Sequence, residues 1–118
     1  MAPVDPAFEC TVAVTLERRR TAAEHDARGR PVVSYGPPEP LLVWAFYVTD
    51  ADGDTEGHAQ RRTTTGTCYP PAAEGVAVGD RIELPGKGWF KVTAMGDYDD
   101  NPVWQPGLAD VKLRKVDG

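Results

Sequence analysis

The chain has 118 residues, a formal net charge of −5 and 41% apolar residues, which fits one domain with one ordinary core and leaves no room for a second. Its acidity weighs against a protein that grips nucleic acid, because such affinity comes from neutralising phosphates with Lys and Arg. Gly 12 and Pro 11 are many for this length, yet the apolar residues fall in alternating blocks, which argues for short strands with punctuated turns and against disorder. No apolar run approaches the ~20 residues that span a bilayer. The opening MAPVDPAFEC carries acids where a secretion leader would carry basic and then apolar residues, so a product of the cytoplasm with no membrane partner is expected.

Residues 1–7 hold two prolines without periodicity and read as an extended arm. From Phe8 the pattern turns regular. Phe8, Cys10, Val12, Val14 and Leu16 alternate with Glu9, Thr11, Ala13, Thr15 and Glu17, the signature of a half-buried strand. Arg18, Arg19 and Arg20 follow, and read as a solvated turn balanced by Glu17, Glu24 and Asp26 rather than as a phosphate contact. Gly29 and Pro31 cut off any helix, so residues 21–28 read as a loop with its turn over 26–31.

Residues 32–35 return as a short second strand. The prolines at 37, 38 and 40 donate no ladder hydrogen bonds, which places this segment at a sheet edge or a crossing. Residues 41–48 form the most apolar run and include Trp44, Phe46 and Tyr47. Apolar side chains on both faces predict one strand covered by the core on one side and by another copy of the chain on the other.

The segment 49–58, TDADGDTEGH, is the most charged, with Asp50, Asp52, Gly53, Asp54, Glu56 and His58. Its three aspartates sit at the first, third and fifth positions of a calcium loop. Thr55 then stands where that loop needs Gly, and Arg61 where it needs a bidentate Glu, so the segment reads as a protruding acidic hairpin tip without a metal or other cofactor. Residues 58–69 predict a Thr-rich strand with Thr63, Thr65 and Thr67 on one side, ended by Pro70 and Pro71. The loop 72–79 is expected to turn Val76 and Val78 inward. Cys10 and Cys68 read as small buried residues inside strands, not as a disulfide.

The remainder organises the chain. Ile82 and Leu84 alternate with Arg81 and Glu83; Phe90, Val92 and Ala94 alternate with Trp89, Lys91 and Thr93. Pro85, Gly86, Lys87 and Gly88 between them supply one fixed φ and two residues free to take positive φ, so residues 80–94 predict a hairpin. The loop 97–107 clusters Asp97, Asp99 and Asp100 near Tyr98 and Trp104, a composition that Asn101, Pro102 and Gly107 explain as a turn, with Trp104 as an anchor at the barrel end. Val111 and Leu113 then alternate with Asp110, Lys112 and Arg114 in a closing strand. Together these elements predict an all-β domain, a small antiparallel barrel or sandwich of six to seven short strands with long loops.

This stretch resembles the head-to-tail stopper (head closure) proteins of long-tailed phages, especially those of actinobacterial hosts. The matching hairpin residues are Asp80, Ile82, Leu84, Pro85, Gly86, Gly88, Phe90 and Val92; Asn101, Pro102 and Trp104 match the following loop, and Val111, Leu113, Val116 and Gly118 the terminal strand. The likeness extends more loosely upstream through Gly29, the run from Tyr35 to Pro38 and the run from Tyr69 to Pro71. It implies a virion protein of the neck: a hexameric or dodecameric ring beneath the portal and adaptor proteins, contacting a tail-completion or tail-terminator protein. It also implies a loop near residues 49–58 that closes the channel on packaged double-stranded DNA.

An enzyme needs a nucleophile or an acid and base pair brought together. His25 and His58 both fall in expected loops, and no nucleophile elbow, phosphate-cradling glycine loop or Cys/His ligand set is present, so no catalysis is expected. A small barrel for single-stranded nucleic acid needs aromatics among basic residues on one face; Trp89 and Lys91 share a face but no larger cluster is legible. A ring subunit built by head-to-tail contacts fits best. Its expected contacts are Trp44, Phe46, Tyr47 and Trp104, together with the arm 1–7.

Overall fold

The computed structural model describes residues 6–25, 28–29, 31–53, 61–97 and 105–116. Among the described residues nine strands run β1 (Val12–Glu17), β2 (Arg19–His25), β3 (Pro31–Tyr35), β4 (Glu39–Val43), β5 (Phe46–Gly53), β6 (Arg61–Cys68), β7 (Arg81–Leu84), β8 (Gly88–Asp97) and β9 (Ala109–Lys115), with 3-10 turns at Pro6–Phe8 and Ala72–Glu74. Seven of them form one antiparallel sheet in the order β4-β1-β7-β8-β9-β6-β5, and β2 and β3 pair only with each other. The expected all-β class holds.

The sheet must curl, for a reason visible in its connectivity. β4 and β5 are its opposite edges, yet only Trp44 and Ala45 join them. Laid flat, the edges would stand about 29 Å apart, six spacings of about 4.8 Å, whereas the three Cα steps from Val43 to Phe46 reach at most about 11 Å. The curl brings the edges together at the bend over residues 44 and 45, a seam that is tied to the residue after β6: Trp44 N–H donates to Tyr69 O (2.9 Å) and Tyr69 N–H to Ala45 O (3.0 Å), extending the β5–β6 ladder. The result is a half-barrel. Residues 41–48 are therefore two strands separated by a bend, not the single strand expected.

Inside the curl, alternate positions make the core. Leu16, Val43, Ile82, Leu84, Phe90, Val92 and Val111 are fully buried, with Val14, Leu41 and Leu113 nearly so. The β7–β8 hairpin forms as expected: Gly86 and Gly88 take φ of 74° and 91°, and Lys87 N–H donates to Leu84 O at 2.9 Å. The β8–β9 register slips by one residue between Val92 and Ala94. Thr93 is the extra residue of a bulge, and a bulge reverses the phase of alternation beyond it. Met95 consequently packs against the core while Ala94, expected inside, is exposed.

Other expectations are corrected by packing. Residues 19–25 are a strand, because the arginine run continues into a ribbon with β3 through Arg19↔Tyr35, Arg20↔Ser34 and Thr21↔Val33. Phe8 belongs to a 3-10 turn, and Cys10 lies between that turn and β1, not within a strand. Val78 is 55% exposed, since only Val76 of its loop reaches the core. The arm over 1–5, the tip over 54–60 and the loop 98–104 with Trp104 lie outside the described residues.

One buried carboxylate ties the ribbon to the barrel. Asp80, 5% exposed, accepts hydrogen bonds from Arg19 N–H (2.8 Å) and Ala77 N–H (2.9 Å). Beside it Gly79 takes φ of 101°, and a Cβ there would fall 2.7 Å from Arg19 Cδ, so the ribbon crosses where only glycine fits. Tyr35 at the end of β3 then lies over the Arg81 guanidinium, 4.0 Å from ring centroid to Cζ; the same guanidinium stands 5.3 Å from the Trp89 ring and pairs with Glu17. Arg18 is another internal tie rather than a free turn residue. Its Nε bonds Glu39 Oε1 (3.0 Å), and its Nη2 and Nη1 bond the carbonyls of Glu74 (2.8 Å) and Gly75 (3.3 Å).

Two substitutions test this scheme. Phe90→Ala removes the largest fully buried side chain and should lower unfolding free energy by about 3–5 kcal/mol in urea denaturation. Asp80→Ala leaves two N–H groups without their acceptor and should lower it by about 2–3 kcal/mol. Hydrogen exchange on the Asp80 variant should show the loss of protection concentrated at the base of the β2–β3 ribbon.

Candidate functional site

Two features stand apart from the barrel, and each follows from strand register. β6 pairs with β9 only from Thr65 to Cys68, whereas it pairs with β5 over its whole length, from Phe46↔Cys68 to Gly53↔Arg61. The pairs Asp50↔Thr64, Ala51↔Thr63, Asp52↔Arg62 and Gly53↔Arg61 therefore have no third strand beside them. They form a two-stranded arm reaching about 14 Å past the sheet at about 3.4 Å per residue. The molecule is correspondingly spread: its radius of gyration is 16.4 Å, against about 13.5 Å for a compact chain of this length.

The arm carries the first part of the candidate acidic segment. Asp50 is exposed and its carboxylate accepts a hydrogen bond from Thr64 Oγ1 at 2.6 Å. Asp52 stands opposite Arg62 in the backbone register. Gly53 ends β5; Asp54, Glu56 and His58 lie outside the described residues. Asp50 and Asp52 are strand residues. Among the described residues, no group of three or more His, Cys, Asp and Glu side chains is placed to hold a metal ion.

The second feature is the seam. Trp44 at the bend is 38% exposed and is held edge-on by two rings, Phe8 at 5.0 Å and Tyr69 at 5.6 Å between centroids. Leu42 and Tyr47 on either side are 51% and 52% exposed. Phe46 and Val48 turn the other way and pack against the core. Of the four expected contact residues, Trp44 and Tyr47 are thus exposed apolar side chains flanking the bend, Phe46 packs against the core, and Trp104 falls outside the described residues. Leu42 is a third exposed apolar side chain beside the bend, legible only as the outward phase between Leu41 and Val43. A cleft of about 530 Å³ lined by Cys10, Pro40, Leu41, Leu42, Pro71 and Glu74 adjoins it.

The polar groups nearby are structural in character. Lys112 pairs with Asp110 at 3.1 Å, and that bond holds its ammonium above the usual lysine range. The two thiols are free. Burial, and then the charge of Glu74, raises the Cys10 pKa; burial pushes the fully enclosed Cys68 up to about 12. Neither is an activated nucleophile, since activation requires a lowered pKa.

In comparisons with known proteins, no family model matches the chain and no curated protein matches it.

The Cys68 environment predicts a pH effect with a definite sign. Above the ordinary thiol value of 9.0 the unfolded chain ionises while the folded thiol stays neutral, so stability falls as pH rises from 9.0 towards about 12. Cys68→Ala should flatten that part of the stability-against-pH curve relative to the parent protein. An aromatic disulfide reagent at pH 8 should label Cys10 in the native state and Cys68 only after unfolding.

Proposed function

We propose that this chain is a structural subunit of a phage neck, a head-to-tail stopper that works by assembling copies of itself and not by catalysis. The observation that carries the reading is the two-stranded arm standing clear of a curled half-barrel that leaves Leu42, Trp44 and Tyr47 exposed. It joins the motif resemblance of residues 80–118, whose hairpin glycines occupy the positive-φ positions that the motif demands.

In this reading the barrel is the rigid body of the ring and the seam patch is buried against a different surface of the next copy. Such a heterologous contact closes into a ring when the rotation per subunit divides a full turn. The arms extend from the body towards the ring axis and meet there to block packaged double-stranded DNA. By sequence the segment 50–64 carries four acids against Arg61 and Arg62, and this net negative charge repels the duplex. The ring is placed in the virion neck beneath portal and adaptor proteins, with a tail-completion or tail-terminator protein on its other side.

The arm can be removed without touching the barrel, because Thr49↔Thr65 are paired where the third strand begins. Replacing residues 50–64 with an Asn-Gly turn should preserve the near-native unfolding transition, yet virions carrying only this variant should lose packaged DNA. Full retention of DNA with defective tails would assign the chain to tail completion instead. Trp44→Ser with Leu42→Ser should lower the assembled fraction in sedimentation velocity while leaving the monomer folded.

A further inference from the structure

The last full rung of the sheet before the arm carries a side-chain row that the stopper reading does not use. Arg81, Lys91, Arg114, Thr65 and Thr49 stand abreast on β7, β8, β9, β6 and β5, through the registers Arg81↔Lys91, Lys91↔Arg114, Arg114↔Thr65 and Thr65↔Thr49. Residues opposite each other in register share a face. Their chain neighbours Ile82, Val92 and Leu113 are buried inside the curl, so the row is on the convex side. Lys91, Arg114, Thr65 and Thr49 are exposed and Arg81 is half-buried. At about 4.8 Å per strand the row spans about 19 Å. Trp89 lies two residues from Lys91 on the same side, half-buried, with its ring centroid 5.3 Å from the Arg81 guanidinium.

The acids around this row do not balance it. Glu17 pairs with Arg81 and Asp110 with Lys112. Asp50 accepts from Thr64 and lines a cleft on the concave side with Lys87 and Lys115. Glu83 stands at the next position of the convex face, opposite Trp89. Lys91 and Arg114 have no ion-pair partner among the described residues, although like charges set opposite each other across strands are destabilising. Uncompensated cations held side by side in a chain of net charge −5 mark a site for an anion from outside. The exposed hydroxyls of Thr65 and Thr49 prolong the row with donors suited to phosphate oxygens.

We propose that this convex face binds single-stranded nucleic acid, with Lys91 and Arg114 on its phosphates, Thr65 and Thr49 extending the track, and Trp89 offering its ring to a base. A cationic track with an aromatic ring beside it is the combination that single strands require, and that ring serves only a base not already stacked and paired in a duplex. In the sequence Trp89 and Lys91 share a face alone; Arg81 and Arg114 are brought beside them by the pairing of β7 and β9 with β8. The affinity is modest, since Lys91 and Arg114 are the free cations of the row. At about 0.7 per neutralised phosphate on a single strand, log affinity against log salt should fall with a slope of about −1.4. This face is independent of the ring reading, because it uses neither the exposed apolar residues beside the bend nor the tip of the arm.

Fluorescence anisotropy with an end-labelled oligothymidylate of about 12 nucleotides tests it. The wild-type protein should bind in low salt with the slope given above. Lys91→Glu with Arg114→Glu should weaken binding by roughly tenfold or more. Lys91→Gln with Arg114→Gln, the milder pair should the reversal disturb folding, should weaken it measurably while keeping the parent's circular dichroism spectrum. Lys87→Glu at the hairpin tip changes the net charge by as much as the Gln pair, at an exposed position off the row, and should leave binding unchanged. Absence of binding by the wild-type protein in low salt would overturn the proposal, as would an equal loss in Lys87→Glu and the Gln pair. So would a duplex of the same length bound as tightly as the single strand. A polyglutamate peptide bound as tightly, with the same dependence on Lys91 and Arg114, would overturn it too and assign the face to an acidic protein segment.

Discussion

A two-residue bridge between the opposite edges of a seven-stranded sheet is the constraint from which the rest of this structure follows. Trp44 and Ala45 leave β4 and β5 no freedom to separate at that end, so the sheet curls into a half-barrel whose concave face buries Phe90, Leu16 and Ile82. The apolar surface thus enclosed supplies the main stabilisation. The same bridge leaves Trp44 at the turning point, where Phe8 and Tyr69 grip its ring without covering it. An exposed apolar patch is therefore a by-product of closing the barrel, and its position is as fixed as the core.

What lies outside the barrel is fixed by different means. The β2–β3 ribbon has no partner strand in the main sheet; it is held by the Asp80 carboxylate, by Gly36 N–H to Arg18 O at 2.8 Å, and by Tyr35 on Arg81. The β5–β6 arm is held by its own ladder and by continuity with the sheet. Polar groups therefore divide into those that fasten elements, chiefly Asp80, Arg18, Glu17 and Arg81, and those left on the surface, Asp50, Lys91 and Arg114. The net charge of −5 does not describe either set. Its consequence for partners lies in where the unpaired charges stand.

Much of this was legible in the alternation of residues 80–94 and 109–115, because those strands are half-buried and their turn glycines have no other use. The legible part ended wherever alternation was broken by something nonlocal. The Thr93 bulge is set by how β8 must pair with β9, so Ala94 and Met95 could not be phased from β8 alone. The run 41–48 looked uniformly apolar because two inward phases, Leu41 with Val43 and Phe46 with Val48, are joined across a bend that carries Trp44. Residues 19–25 were not legible as a strand because their sequence has no apolar alternation and their pairing with β3 lies outside the main sheet. At the candidate site, the charge of the segment 49–58 was readable from composition. The length of the arm depends on where β9 stops pairing, and only the register shows that.

The central claim is that this small barrel exists to be repeated around an axis with its arms turned inward. An electron cryomicroscopy reconstruction of the assembled protein, or of a virion neck in which the subunit is labelled, tests it most directly. The account predicts a closed ring with the Leu42, Trp44 and Tyr47 patch buried between neighbours and the β5–β6 arms reaching the central channel. Solitary subunits, or a ring with those arms on its outer rim, would contradict it.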